Sequence, residues 1–404
     1  MTQTELPYFG LNMIVKNEEK VIERLLRTVS PLVDWYTIID TGSTDKTKEI
    51  ITNTMQELGI PGEVLDHEWV NFCTARNFAL ESIKGKAKWG FWIDADEQLI
   101  LDPKFSKLAL KQHLEKGQYH NASTQVVYGR QKYFRSQLFL IDFEWEWKGA
   151  VHEVMLPKVK GTRIKNCQIE GFHSLVTPDG SSWGDGSKEA QKKKYEEHAV
   201  LLHEYIKTDP DVRWIFYLAQ SYRDCFDFAN AEKWYTERIN RKEGYWEELY
   251  FSQLMVAAAQ AAQRKPISEV LESYAQCSKF DANRCEHYLP IIKHHQATGN
   301  WPTAYAISKF CVERYGGKNP FPKSSLFVDN STYDWVLYDL HSMSAYYMGK
   351  YAESRTVYNK LRKAINKGLV PEHETKRMID NQKWYTKKWE DEMKKKPRPY
   401  HMTF

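Results

Sequence analysis

Over the first 100 residues the apolar positions alternate between short unbroken runs and a spacing near 3.6, and each change of pattern marks a change of element. "YFGLNMIV" reads as a strand, "EEKVIERLLRTVSPL" as a helix with Val21, Leu25, Leu26 and Val29 on one face, and "WYTIID" as a second strand. "STDKTKEIITNTMQEL" opens on a Ser/Thr/Asp cluster suited to capping a helix. "GEVLDHEW" is a third strand, "NFCTARNFALESI" a third helix and "KWGFWIDA" a fourth strand. This β-α-β-α-β-α-β series predicts an α/β class with a Rossmann-like, mostly parallel sheet that binds ligands beyond the carboxyl ends of its strands. Those ends carry Asn17 and Glu18, then Asp40, then Asp66, then Asp94 and Asp96, so the acids fall on one rim.

From Thr124 to His173 the pattern is β-rich, in "STQVVYGRQKYFR", "QLFLIDF", "GAVHEVML" and "NCQIEGFHSL". "PDGSSWGDG" follows, with the composition of a mobile loop. The remainder is helical. Similar phrases recur around Ala231, Val270 and Ala304, at spacings of 39 and 34 residues, and again in "KYAESRTVYNKL" after an insertion. That period predicts stacked helix pairs, an all-α repeat domain of tetratricopeptide (TPR) type. The expected division is 1–180 for the α/β domain, 181–208 for a flexible loop and linker helix, 209–370 for the repeats and 371–404 for a basic helix and frayed tail.

Bulk composition adds limits. A chain of 404 residues, 42% hydrophobic and 27% charged, suits two globular domains, and a net charge of +4 demands neither a nucleic-acid nor a membrane partner. Its 14 Trp, 24 Tyr and 18 Phe supply faces for burial or for stacking sugars and bases. The six cysteines include no C-x-x-C pair, and no apolar run approaches the roughly 18 residues of a membrane span. The expectation is a cytoplasmic protein with reduced thiols and no membrane span.

No P-loop, dinucleotide fingerprint or zincin helix occurs. What remains is the acidic rim. "DADE" at residues 94–97 is either an ordinary acidic turn or half of a metal site for a phosphorylated ligand. Mg2+ and Mn2+ keep phosphate oxygens in their shell, so one or two carboxylates suffice to hold them. Asp40 sits where a carboxylate can accept hydrogen bonds from a base or ribose, while Ser43, Thr44 and Asp45 read first as caps of the next helix.

"NMIVKNEEKVIERLL", "DTGSTDKT", "WVNFCTARNFAL" and "WIDADE", in this order and at these intervals, resemble the family 2 glycosyltransferases of GT-A fold. Within them the chain is similar to the branch with C-terminal TPR-like helices, which includes the S-glycosyltransferases of glycopeptide bacteriocins. The resemblance implies that Asp40, with Asn17 and Glu18, holds the nucleobase or ribose, that Arg76 contacts base or diphosphate, and that Asp94 faces the ribose. It further implies that Asp96 holds the Mn2+ or Mg2+, with His173 completing the shell. An ion pair on a helix face is the plain alternative for Arg76. "WEWKGAVHEVM" resembles the family's W-x-G-x-x-H-E segment, which makes Glu153 the candidate catalytic base and Trp147 and His152 substrate-binding residues. The family's Lys and Arg-Asn pair after the metal-site His is replaced by "DGSKEAQKKKYEEHAVLL", whose Lys188, Lys192, Lys193 and Lys194 either close over a diphosphate or form a surface patch.

The implied function is metal-dependent, inverting transfer of a sugar from a nucleotide-sugar donor, UDP-sugar favoured, to an acceptor hydroxyl or thiol held between the two domains. A glycan, a peptide and a hydroxymethylated DNA base compete as acceptor. The helical domain is expected to provide acceptor or homodimer contacts. The alternative from another class is a non-catalytic helical-repeat scaffold for a protein partner.

Overall fold

The computed structural model describes residues 5–129, 131–177, 179–181, 186–316 and 327–395, and the chain divides into two compact units, Met1–Phe226 and Asp227–Phe404. In the first unit β1 (Phe9–Val15), α1 (Ile22–Val29), β2 (Trp35–Asp40), α2 (Thr47–Glu57), β3 (Gly62–Asp66), α3 (Phe72–Ser82) and β4 (Trp89–Phe91) follow the predicted alternation. The chain continues through β5 (Glu97–Leu101), α4 (Lys107–Gly117), β6 (Asn121–Tyr128), β7 (Gln131–Leu140), β8 (Trp145–Lys148), β9 (Val154–Pro157), β10 (Asn166–Val176), α5 (Lys188–Tyr205) and α6 (Val212–Asp224).

Eight of these strands form one sheet in the order β3-β2-β1-β4-β7-β6-β10-β5. Its first four strands pair in parallel, with Val15 beside Asp40 and Asp40 beside Asp66, which aligns the carboxyl ends. The second half mixes antiparallel pairs with the parallel β6–β10 pair. β1 shows why the sheet must be covered on both faces: Phe9, Leu11, Met13 and Val15 join the cluster that contains Ile22, Leu25, Leu26 and Val29 of α1. On its other face Asn12 donates from Nδ2 to the Ala79 carbonyl of α3 at 2.9 Å. Each of the buried apolar side chains of β1 contributes about 1.5–3 kcal/mol.

β4 ends earlier than its apolar run suggests. Trp92 leaves the sheet edge tied to Gln137 by two hydrogen bonds, 3.0 Å from its N–H and 3.1 Å to its carbonyl, and the Glu97 N–H closes a turn onto the Asp94 carbonyl. Asp94 and Asp96 therefore lie in a turn between β4 and β5, not on a strand whose alternation would point them the same way. β8 and β9 pair as a separate hairpin, with Trp145, Trp147 and Met155 in the core cluster shared with Leu80, Ile83 and Trp92.

The second unit holds α7 (Phe228–Arg241), α8 (Glu247–Ala262), α9 (Ile267–Gln276), α10 (Tyr288–Ala297), α11 (Trp301–Tyr315), α12 (Leu337–Tyr347), α13 (Tyr351–Asn366) and α14 (Glu372–Lys395). The recurring phrases fall on α7, α9, α11 and α13, and Ala231, Val270, Ala304 and Ser354 within them are buried. Small residues there let neighbouring helices approach, as a repeat array requires. α14 is docked along its length: Arg377 bonds Asp339 at 2.8 Å, the buried Tyr385 packs on Tyr358, and Arg355 lies 3.7 Å over the Trp389 ring. The expected frayed tail, 396–404, lies outside the described residues. The chain thus consists of an α/β domain followed by an all-α helical-repeat domain. The division after Phe226 groups α5 and α6 with the sheet, where the sequence began the helical domain at 209. No helix among the described residues is long and apolar enough to cross a membrane.

Gly90 of β4 lies under the Phe139 ring, and a Cβ there would sit 2.1 Å from the ring's Cζ. Gly90→Ala is expected to cost about 1–3 kcal/mol by overpacking, read as a lowered midpoint in urea with an unchanged slope.

Candidate functional site

The loops after β1 and β2 are interlocked. Asn17, in the left-handed region at φ 55°, donates its N–H to Ser43 Oγ at 2.9 Å and accepts the Thr44 N–H on Oδ1 at 2.8 Å. Glu18 N–H bonds Thr47 Oγ1, and Asp45 Oδ1 accepts both the N–H and the hydroxyl of Thr47. Ser43, Thr44 and Asp45 therefore build the rim, as their capping chemistry suggests. Asn17 is a loop-building residue as well, because its side-chain oxygen is engaged. Asp66 points to solvent and pairs with Lys48.

Asp40 is different. Its side chain is buried, Oδ1 accepts the Gly42 and Ser43 N–H groups at 2.9 and 2.7 Å, and Oδ2 is buried with no hydrogen-bond partner among the described residues. Leaving a buried carboxylate oxygen unpaired costs about 1–3 kcal/mol or more, which a ligand N–H or O–H at that oxygen would recover.

The centre of the site is a charge network that the sequence did not disclose. The Arg76 guanidinium, on α3, donates from Nη2 to Asp94 Oδ1 at 2.7 Å and from Nε to Glu153 Oε1 at 2.6 Å. It lies between two indoles, 4.7 Å from the Trp92 ring centroid and 5.0 Å from that of Trp147. Arg135 of β7 covers the Trp92 ring as well, 4.5 Å from its centroid, bonds Glu97 Oε2 at 2.6 Å and approaches Asp94 at 3.7 Å. Burial works to raise the Asp94 carboxyl, but Arg76 and Arg135 outweigh it and hold it below the usual carboxylate range. Glu97 goes the other way: burial pushes its carboxyl up to about 7 against Arg135, helped by the negative charges of Asp94 and Asp96.

Arg76 is in the ion pairs that were its plain alternative, with Asp94 and Glu153. Trp147 is no open stacking wall, since its ring is buried edge-on to Trp92 and its backbone bonds the Asn77 side chain at both N–H and carbonyl. Glu153 Oε1 is held by Arg76, and Oε2 has no hydrogen bond among the described residues. His152, at φ 53°, stacks on Tyr217 of α6 at 4.3 Å and meets His198 of α5 edge-on at 6.0 Å. His152 is exposed as a residue, yet desolvation by this crowding lowers its pKa, and His198 is driven to about 3 by burial with His152 and Lys194 adding to the effect.

Asp96 lies beside Glu18: a Cβ placed on Gly180 would sit 2.8 Å from Asp96 Cβ and 3.2 Å from Glu18 Oε2. The Glu18 carboxyl is raised, chiefly by burial, with Asp96 and Asp45 adding to it against two hydrogen bonds from Ser181. His173 is not brought to Asp96. It pairs with Ile100 across β10–β5, whereas the Asp96 carbonyl accepts the Thr177 N–H, four residues and roughly 13 Å further along the strand. Among the described residues no three His, Cys, Asp or Glu side chains converge as a preformed metal cage. Of the four lysines, Lys188, Lys192 and Lys193 are exposed and only Lys194 turns inward, with Asp96 among the charges acting on it.

Residues 12–170 match the family model "Glycosyl transferase family 2". The first unit therefore carries a family 2 glycosyltransferase domain. A TPR repeat-containing protein of Synechococcus elongatus is 38% identical over 94 residues, 23% of this chain and 21% of that protein, so the match spans about a fifth of that curated relative. Among solved structures, TarS of S. aureus shares 14% identity over 66% of this chain and 55% of its own, with a TM-score of 0.37. Mannosyltransferase PcManGT from Pyrobaculum calidifontis, in complex with GDP-Man and Mn2+, shares 13% over 69% and 82%, with a TM-score of 0.34. MamA shares 12% over 47% and 93%, with a TM-score of 0.33. Likenesses at this level bear on neither donor nor acceptor.

Because the Glu97 carboxyl is raised in the fold, its contribution to stability is fully present below its unfolded value of about 4.3 and is lost as pH rises through about 7. The melting temperature of the wild type minus that of Glu97→Gln is expected to fall between pH 5 and 8. A difference independent of pH would mean that Glu97 is ionised throughout.

Proposed function

We propose that the first unit transfers a sugar from a nucleotide-sugar donor, with UDP-sugar favoured, to an acceptor nucleophile in an inverting, metal-dependent reaction. The observation that carries this reading is Asp40 at the carboxyl end of β2, one oxygen fixed by two backbone N–H groups and the other buried and unsatisfied. A uracil ring or a ribose hydroxyl supplies the donor hydrogen such an oxygen lacks. The position is also where an open α/β sheet binds its ligands, and it lies inside the stretch matched to family 2 glycosyltransferases.

The donor's ribose and diphosphate would then run from Asp40 toward Asp94 and Asp96. Asp96, beside Glu18, would hold a hard divalent cation whose remaining ligands come from the diphosphate, so no complete protein cage is required. When bound, such a cation neutralises the charge that develops on the departing diphosphate. Glu153 is the proposed base: as the acceptor oxygen or sulfur bonds to the anomeric carbon and the carbon–diphosphate bond breaks, the acceptor proton passes to Oε2. Arg76 is the positioning residue. Its bond to Oε1 fixes the carboxylate, and its bond to Asp94 ties that base to the donor side.

The test is thermal shift and hydrolysis across UDP-, GDP- and TDP-sugars, with and without Mn2+. One nucleotide should stabilise the wild type in the presence of metal, Asp40→Asn should weaken it about tenfold or more, and Asp96→Ala should remove the metal dependence. Glu153→Gln should keep donor binding and lose at least about a hundredfold in turnover. Stabilisation by no nucleotide, or full affinity in Asp40→Asn, would contradict the assignment.

A further inference from the structure

The β8–β9 hairpin has two faces with different business. Trp145, Trp147 and Met155 face the core beside Arg76, while Lys148, Val154 and Leu156 face outward, as strand alternation requires. On that outward face, between the hairpin and the start of α6, lies a cavity of about 420 Å³, within the range of small-molecule sites. Four cationic side chains line it, Lys148, Lys158, Lys160 and Arg213, against two carboxylates, Asp209 and Asp211.

Both carboxylates are already engaged. Asp209 accepts the Trp214 indole N–H at 3.1 Å, and Asp211 accepts the Arg213 backbone N–H at 2.9 Å. The cations are not matched. Lys148 and Lys158 reach glutamates only at 3.6 and 3.8 Å, and neither Lys160 nor the Arg213 guanidinium has a carboxylate partner among the described residues. The Arg213 Nε is buried without a hydrogen-bond acceptor. A planar guanidinium in that condition calls for an oxyanion, and phosphate fits its fork.

A relay of side-chain contacts leads from the cavity wall toward the candidate base. Arg213 lies 4.9 Å from the Tyr217 ring, Tyr217 stacks on His152 at 4.3 Å, and His152 precedes Glu153 in the chain. The far wall is fixed as well: Trp214 packs so closely on Gly149, at φ 102°, that a Cβ there would sit 2.5 Å from the indole. The cavity's α6 wall and Tyr217 lie beyond residue 170, where the family match stops.

We propose that this cavity is an acceptor subsite for a phosphorylated sugar or polyol, with Arg213 and Lys160 gripping the phosphate. The neighbouring unit would pass along Tyr217 and His152 to present its nucleophile to Glu153. Leu156 and Val159, both exposed at the cavity, give an apolar surface for the ligand's C–H face. A volume of about 420 Å³ suits one such unit, not a duplex. The proposal rests on the transferase reading for its role as an acceptor site, but the anion site itself can be measured alone.

The experiment is calorimetric titration of the full chain with glycerol 3-phosphate, with glycerol as the uncharged control, a short oligothymidylate as a competing polyanion, and UDP with Mn2+ as an independent donor readout. Glycerol 3-phosphate should bind, glycerol should not, and Arg213→Gln with Lys160→Gln should weaken the phosphate at least tenfold while UDP affinity stays unchanged. Should the double variant lose UDP as well, Leu156→Glu, which puts a carboxylate into the cavity from an exposed position, takes its place with the same expectation. Unchanged phosphate affinity in the variants overturns the proposal. So does binding of oligothymidylate, but not glycerol 3-phosphate, that depends on Arg213 and Lys160. If UDP fails to bind the wild type, the donor reading falls while the phosphate result stands by itself.

Discussion

The site depends on one buried cation. Arg76 is 7% exposed, and its guanidinium meets Asp94 on one side and the 13%-exposed Glu153 on the other, between the faces of two tryptophans. Burying this charge alone would be prohibitive, and burying Glu153 alone equally so; each is tolerated because of the other. The two carboxylates come from segments far apart in the chain, the turn after β4 and the entry to β9, so the ion pairs also fix how the hairpin sits against the parallel half of the sheet. Asp94 retains a 39% exposed side chain while Arg76 holds it.

From that constraint the division of labour along the rim follows. Asp40, on the far side of β1, is fixed by backbone N–H groups instead of a cation, so its second oxygen remains available to a ligand. Asp96 lies beside Glu18, whose carboxyl is raised chiefly by burial, with Asp96 adding to it against the hydrogen bonds from Ser181. α5 and α6 bring His198, Tyr217 and Arg213 together around His152, the residue before Glu153.

The alternation of strands and helices was legible because β1 to β4 are covered on both faces and their apolar runs are interrupted only by helical periodicity. The rim acids were legible for the same reason: a parallel sheet puts all its carboxyl ends on one side. Roles were less so. The burial of Arg76 and Trp147 was not legible, and His173 falls at a register position that only strand pairing reveals. Arg135 gave no local signal, and Glu97, the last residue of "DADE", did not disclose its partner, since their relation is set by the strand order β4-β7-β6-β10-β5, which no spacing in the chain encodes. Lys194 could not be separated from its neighbours until helix α5 showed which of the four lysines turns inward.

The measurement that tests the hub most directly is a comparison of unfolding free energies in urea for the wild type, Arg76→Met, and Arg76→Met combined with Asp94→Asn and Glu153→Gln. Removing the cation alone should destabilise by about 3–5 kcal/mol, because a buried carboxylate is left without its partner. Neutralising both carboxylates in the same chain should restore a substantial part of that loss, making the triple variant more stable than the single one. A triple variant less stable than Arg76→Met would contradict the account, since the three charges would then not act as one balanced unit.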